Sequence, residues 1–396
     1  MARRSRPTLA DLLSSKEMVV VCGSGGTGKT TVAAAMGAQA AVTIGGRVLV
    51  LTVDPARRLA TALGLGTFGN TAIRVEPGAF AAAGVAVDEM RGELWVAMLD
   101  TKAGWDELIR RHAPDARLRD QVLANPLYRN ITGRFVNSHD YIAMEQLHEL
   151  HASGKYDLVI IDTPPSRNAL DLLDAPGRMR EFFGSRLLKW LTVPYRSRLF
   201  TMASKPFYQV ADRVLGSRFL QDIAEFFILF QTMEAGFVAR AREVERLLTD
   251  DRTTFVVVST LEAAPAREAH FLAEELRRRG MPLGAIVLNR TLPAAVRQPA
   301  AARAASLLRD AALDDGLMRK VAVAADANVD AVHHVVTEVG ERFRDVAIVA
   351  GREAERRHEL EEVAPLTAVV PTMPSDVHDL GTVLTMGAHL LSDGWR

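Results

Sequence analysis

Val-Cys-Gly-Ser-Gly-Gly-Thr-Gly-Lys-Thr-Thr at residues 21–31 decides the fold class of this chain. It follows a β-branched run from Met18 to Cys22, which reads as a strand, and it opens an alanine-rich helix beginning at Lys29 and running through Ala41. A glycine-rich turn in that context has a chemical purpose. Gly23, Gly25, Gly26 and Gly28 accept positive φ and let backbone N–H groups approach phosphate oxygens that a Cβ would push away, and the helix N-terminus behind them adds partial positive charge. Lys29 is placed to reach the β- and γ-phosphates, and the Thr30 hydroxyl stands where a Mg2+ ligand is needed. With Ser24, Thr27 and Thr31 completing the loop, the expectation is a nucleotide site that uses Mg2+.

Outward from the loop, a second strand from Val48 to Val53 follows Gly45-Gly46 and ends at Asp54-Pro55, completing a βαβ unit. Further strands are expected at Leu94 to Leu99, Leu158 to Ile161, Phe255 to Val258, Ala285 to Leu288 and Thr367 to Val370. Most are continuous apolar runs, the texture of strands buried on both faces. The fold class is therefore α/β, a mostly parallel sheet with helices on both faces, carrying helical insertions. We expect one P-loop domain over 15–396, with helical insertions at 101–151 and 178–250. The second insertion is rich in Phe and Met. Its Leu220, Ile223, Phe227 and Phe230 fall on a helical stripe that Phe226, Leu229 and Met233 widen. That stripe reads either as the insertion's own core or as a groove for apolar partners. Val329, Val332, Val336, Val339, Phe343, Val346 and Ala350 form another stripe, too short for a free zipper and suited to packing a long helix against the sheet or a partner subunit.

Composition bounds the function. The chain has 396 residues, is 48% hydrophobic and carries 48 basic against 48 acidic side chains, so it offers no basic field for nucleic acid. A single cysteine, Cys22, excludes an intramolecular disulfide and any multi-cysteine metal site within one chain, and fits a reducing compartment. Met1 to Pro7 is basic with no apolar signal core behind it, and Thr8-Leu-Ala-Asp11 reads as a helix-starting capping box. No segment approaches the roughly 18 apolar residues of a spanning helix, so a cytoplasmic protein, peripheral to membranes at most, is expected.

Two strand ends carry carboxylates at the edge where an open parallel sheet places its ligand crevice. Asp162 ends Leu-Val-Ile-Ile-Asp-Thr-Pro-Pro, the way a strand delivers an acid to Mg2+ or its water shell. Asp54 ends Val-Leu-Thr-Val-Asp-Pro-Ala and suits orienting or activating an attacking water; Asp before Pro is also plain turn chemistry. His148-Glu149-Leu150-His151 spaces its histidines three apart rather than the four of a zinc H-E-x-x-H, and His333-His334 reads as helix surface.

Together these stretches resemble the ArsA-type ATPases, which comprise the arsenite-pump ATPase and the ATPases that target tail-anchored membrane proteins, within the deviant P-loop group of MinD and ParA. The resemblance runs over most of 18–290. Its motifs are Gly23 to Thr31, Asp54-Pro-Ala-Arg-Arg-Leu59 as first switch, Asp162-Thr-Pro-Pro-Ser-Arg-Asn168 as second switch, and Val287-Leu-Asn-Arg290 after a strand. Val370-Pro-Thr-Met-Pro374 is similar to the family's late adenine-contacting loop. The resemblance implies that Lys29, Asp54 and Asp162 are catalytic, with Asp54 activating water and Asp162 sensing the γ-phosphate and supporting Mg2+ through water. It implies that Asn289 and Pro371 contact adenine. It also implies a dimeric, ATP-hydrolysing switch handling an apolar or membrane-related client.

Departures matter equally. Ser24 replaces the family's lysine that reaches across to a partner's phosphates, so either a slow homodimer or a heterodimer with a complete ArsA-like paralogue is expected. The alternative is a nucleotide-gated regulatory subunit with weak hydrolysis. The zinc-holding Cys-x-x-Cys and the arsenite-binding cysteines are absent. The second switch reads Ser166-Arg167-Asn168 where relatives commonly have Thr-Gly-His.

Overall fold

Strand β1 (Met18–Gly23) is buried along its whole length, and its alternate residues feed two different cores. Val19 and Val21 pack into a layer with helices α1 (Leu9–Ser14), α2 (Lys29–Thr43) and α13 (Leu380–Leu391). Met18, Val20 and Cys22 pack into the opposite layer with α6 (Ser138–Ala152), α7 (Glu234–Thr249) and α8 (Ala263–Arg278). This is why the strand sequences are uninterrupted apolar runs: a sheet sandwiched between helices has no wet face to which a polar residue could turn. The computed structural model describes residues 7–53, 71–99, 101–125, 138–164, 234–312 and 314–391, with positions 60, 63, 128, 174, 175, 177, 178 and 181 between them.

Among the described residues the sheet has eight strands in the order β3-β4-β2-β5-β1-β6-β7-β8. The members beyond β1 are β2 (Gly46–Thr52), β3 (Ile73–Arg74), β4 (Gly92–Met98), β5 (Leu158–Asp162), β6 (Thr253–Ser259), β7 (Leu283–Thr291) and β8 (Thr367–Pro371). All seven strands expected from sequence are present, each within two residues of its expected ends except β7, which runs three residues past Leu288. The missing member is β3, two residues long and antiparallel to β4, too short to leave a periodic signal. Every other pairing is parallel. The chain leaves β1 toward β2 on one side and later lays β6 on the other, so the carboxyl end of β1 is the topological switch point at which such sheets bind ligands.

Close packing explains two glycines. A Cβ on Gly37 of α2 would lie 2.2 Å from Val50 Cγ2, and one on Gly387 of α13 would lie 2.7 Å from the Ala35 carbonyl oxygen. Glycine and alanine let α2 sit directly on the strands and against α13.

Between β4 and β5 lie α4 (Thr101–His112), α5 (Ala116–Ala124) and α6. The capping box at the chain start is formed as read, with Asp11 N donating to Thr8 Oγ1 at 3.1 Å and Thr8 N to Asp11 Oδ2 at 2.9 Å. Near the C-terminus α10 (Pro299–Ala312), α11 (Asp315–Ala324) and α12 (Val329–Val363) form a helical group. The stripe read along α12 departs in two places: Val329 and Val339 are 39% and 49% exposed, because the neighbouring helices and the edge of the sheet cover one side only. The Phe- and Met-rich stripe from Leu220 to Met233 lies outside the described residues.

Candidate active site

The turn after β1 is shaped by its glycines. Gly23 approaches β6 so closely that a Cβ would meet the Val258 carbonyl oxygen at 2.1 Å, and Gly28 caps α2 with φ +91°, leaving room for the Asn289 amide that a Cβ would strike at 2.4 Å. Gly26 also has positive φ, whereas Gly25 does not. No side chain caps α2, so the amides of its first turn point at the mouth of the loop without an intramolecular anion.

Lys29, Thr30 and Asp162 converge at this mouth. The Thr30 hydroxyl donates to Asp162 Oδ2 at 2.7 Å, and Thr52 Oγ1 donates to the same oxygen at 2.9 Å. Asp162 is fully buried at the carboxyl end of β5, where parallel pairing sets it opposite Val21 of β1 and Thr52 of β2. Its backbone carbonyl also accepts from Val53 N at 3.0 Å, so the strand end is fixed as well as the side chain. Thr163, next along, donates its hydroxyl to the Val21 carbonyl at 2.8 Å, tying the chain that leaves β5 to β1. Lys29 is 7% exposed and its ammonium donates to the Ser24 carbonyl oxygen at 2.8 Å, folded onto the loop it serves.

Two residues brace the loop from outside. Asn289, 5% exposed near the end of β7, donates Nδ2 to the Thr27 carbonyl oxygen at 2.8 Å and accepts from Arg290 N at 3.0 Å. Glu268 of α8 accepts a hydrogen bond from the Ser24 hydroxyl. Pro371 ends β8 opposite Thr291, two residues beyond Asn289 on the neighbouring strand. Cys22, directly before the loop, is buried, and desolvation pushes its thiol up to about 12 despite the nearby Lys29 charge. It is a core residue and not a nucleophile.

The oxygen-only pair of Thr30 and Asp162 suits a hard divalent cation such as Mg2+, and the open glycine turn at a helix N-terminus suits phosphates. Sequence reading missed Thr52 and Glu268. Thr52 had one available signal, being the single polar residue in the run Val48 to Val53, while Glu268 had none. Asp54 and Ser166 to Asn168 lie outside the described residues. His148 and His151 face different carboxylates, Glu243 at 3.6 Å and Glu17 at 2.8 Å, so the structure does not bring them together.

Residues 16–307 match the sequence profile of a family described as anion-transporting ATPase. An uncharacterized protein of Streptomyces coelicolor is 31% identical over 281 residues, 69% of this chain and 62% of that one, so the chain spans less than two thirds of that relative's length. The ATPase GET3 of Malassezia globosa is 26% identical over 72% of this chain and 76% of its own. An ATPase ASNA1 homolog of Trypanosoma cruzi is 28% identical over 72% and 77%.

Proposed function

The chain belongs to the anion-transporting ATPase family, the ArsA-type P-loop ATPases, and from that premise we propose that it is a Mg2+-dependent ATP-hydrolysing switch that works as a dimer and handles an apolar or membrane-related client. One observation carries the reading: the hydroxyl of Thr30 and the carboxylate of Asp162, 132 residues apart in sequence, meet at 2.7 Å beside the glycine turn. An ordinary turn with a solvated lysine has no reason to bury Lys29 or to bring a fully buried aspartate to that hydroxyl.

In this reading the loop amides and the first turn of α2 bind the β- and γ-phosphates, and Lys29 leaves the Ser24 carbonyl to neutralise their charge. Thr30 directly, and Asp162 through water, would hold Mg2+, which supplies charge neutralisation at the phosphates when bound. Asp54 orients the attacking water, and Asn289 and Pro371 border the base. The close approach of the Asn289 amide to Gly28 and its bond to the Thr27 carbonyl support the Asn289 assignment by setting that side chain against the glycine turn. Among the described residues no helix is long and apolar enough to cross a membrane.

The test is Mg2+-dependent phosphate release by the purified chain, compared with Asp54→Asn. Turnover should fall by about 100-fold or more in the variant while Mg-ADP binding persists. A wild-type chain that fails to bind Mg-ATP ends the proposal.

A second reading is favoured by Ser24. That position holds a short hydroxyl engaged by Glu268, with no cation to offer a neighbouring active site. The chain is then a nucleotide-gated subunit with weak hydrolysis, partnered with a paralogue that supplies the charge. Measuring mass and ATPase rate alone and with that paralogue separates the two: rapid turnover by the chain alone, with no gain from Ser24→Lys, excludes the second.

A further inference from the structure

We propose that Glu268 is the positioning residue of the phosphate loop, holding Ser24 by its hydroxyl so that the loop keeps the shape in which its amides meet phosphate. This rests on the reading of that loop as a nucleotide site. Ser24 is 6% exposed and makes three contacts that bear on the loop. Its hydroxyl donates to Glu268 Oε2, and its carbonyl oxygen accepts from Lys29 Nζ at 2.8 Å and from Thr27 Oγ1 at 2.9 Å. The residue is thus the hub through which the lysine and threonine of the loop are oriented.

A buried hydroxyl needs an acceptor, and Glu268 provides one from 244 residues away. The carboxylate is itself held in register. Its helix neighbours Ala266 and Ala269 are 5% and 2% exposed in the core beneath α8, which leaves Glu268 to project toward the loop. On the far side of the turn the Asn289 amide grips the Thr27 carbonyl at 2.8 Å. The loop is therefore pinned at Ser24 by α8 and at Thr27 by β7.

A carboxylate beside a polyphosphate site also repels its ligand. Two roles for Glu268 are thus separable, a bond that holds the loop and a charge that opposes the nucleotide. The directed contact to a buried serine, rather than to solvent, favours the first. Glutamine keeps the acceptor and removes the charge, whereas alanine removes both.

Deuterium uptake of the peptide covering residues 22–31 in nucleotide-free protein, together with Mg-ADP affinity, tests this in the wild type, Glu268→Gln, Glu268→Ala, Ser24→Ala and the Ser24→Ala/Glu268→Ala double variant. Glu268→Ala should exchange the loop amides about tenfold faster and bind Mg-ADP about tenfold more weakly, as expected for loss of one charge-assisted hydrogen bond. Glu268→Gln, which keeps a neutral acceptor, should exchange its loop amides more slowly than Glu268→Ala, and the effect of Glu268→Ala should shrink in the Ser24→Ala background. If Glu268→Ala does not fold, Ser24→Ala opens the same bond and carries the same exchange readout. Equal exchange in the glutamine and alanine variants, unchanged exchange in Glu268→Ala or Ser24→Ala, or an undiminished effect of Glu268→Ala without the Ser24 hydroxyl overturns the proposal. The exchange arm needs no nucleotide, so a wild type that does not bind Mg-ADP refutes the nucleotide reading while the clasp is still decided.

Discussion

Helices α2 and α12 are built on opposite principles. Ten of the 15 residues of α2 are buried, most of them alanine, and it carries Lys29 and Thr30 into the site. Only Gly340, Ala350 and Leu360 are buried among the 35 residues of α12, which is laced instead with pairs such as Arg357–Glu361 at 2.6 Å and Arg342–Glu338 at 3.4 Å. The first is positioned by its neighbours and has no freedom to drift, as a helix that must aim backbone amides at phosphates requires. The second packs along one side, against α8, α10 and α11, and leaves the other to solvent. The difference shows where this fold spends precision: at the switch point of the sheet and not at its helical flank.

The contrast can be broken most sharply at Cys22, in the strand that leads into α2. Burial raises its thiol from 9.0 to about 12, so near pH 8.5 the folded protein holds roughly a thousandth of the unfolded thiolate population. Alkylation should be negligible in the folded protein and rapid in urea; fast labelling of the native chain would contradict a tight layer between β1 and the helices α6 to α8 on the face away from α2. Next in size is Lys29→Ala, expected to lower ATP turnover by about 100- to 1,000-fold in a phosphate-release assay, as for loss of one preorganised charge. Retained turnover would remove α2 from the active site.

The same substitution then probes both helices with opposite sign. Gly37→Ala in α2 drives a Cβ to 2.2 Å from Val50 and should cost about 1–3 kcal/mol in urea unfolding. Gly351→Ala in α12 meets nothing within 4 Å and should stabilise by about 0.5–1 kcal/mol. Equal effects would abolish the distinction drawn here. Smallest of all is Arg357→Ala, which removes one i,i+4 pair and should cost about 0.3–0.5 kcal/mol, less at high salt. A larger loss would mean that α12 depends on tertiary contacts more than its exposure suggests.

Much of the site was legible because its motif is local. Gly23 to Thr31 must follow a strand and open a helix for the chemistry to work, and both elements have strong periodic signals. Asp162 was readable as an acid closing an apolar strand. Its partner Thr52 had a weaker signal, since a threonine at a strand end is ordinary until register sets it across from the aspartate. The bond from Lys29 to the Ser24 carbonyl has no signal along the chain, because it depends on how the loop folds back over the start of α2. The stripe on α12 was right in period and broader than its buried face at Val329 and Val339, because periodicity gives the direction of an apolar face but not how much of it a neighbour covers.

The sequence alone determined a phosphate loop, apolar strands that need cover on both faces, and membership of the ATPase class. Each of these is written within a few residues of chain. Tertiary structure decided which groups brace that loop: Glu268 on Ser24, Asn289 on Thr27, and Thr52 with Thr30 on Asp162. Those partners lie 110 to 262 residues apart. They meet because parallel register and helix rotation bring them to one sheet edge, and no pattern along the chain reports on either.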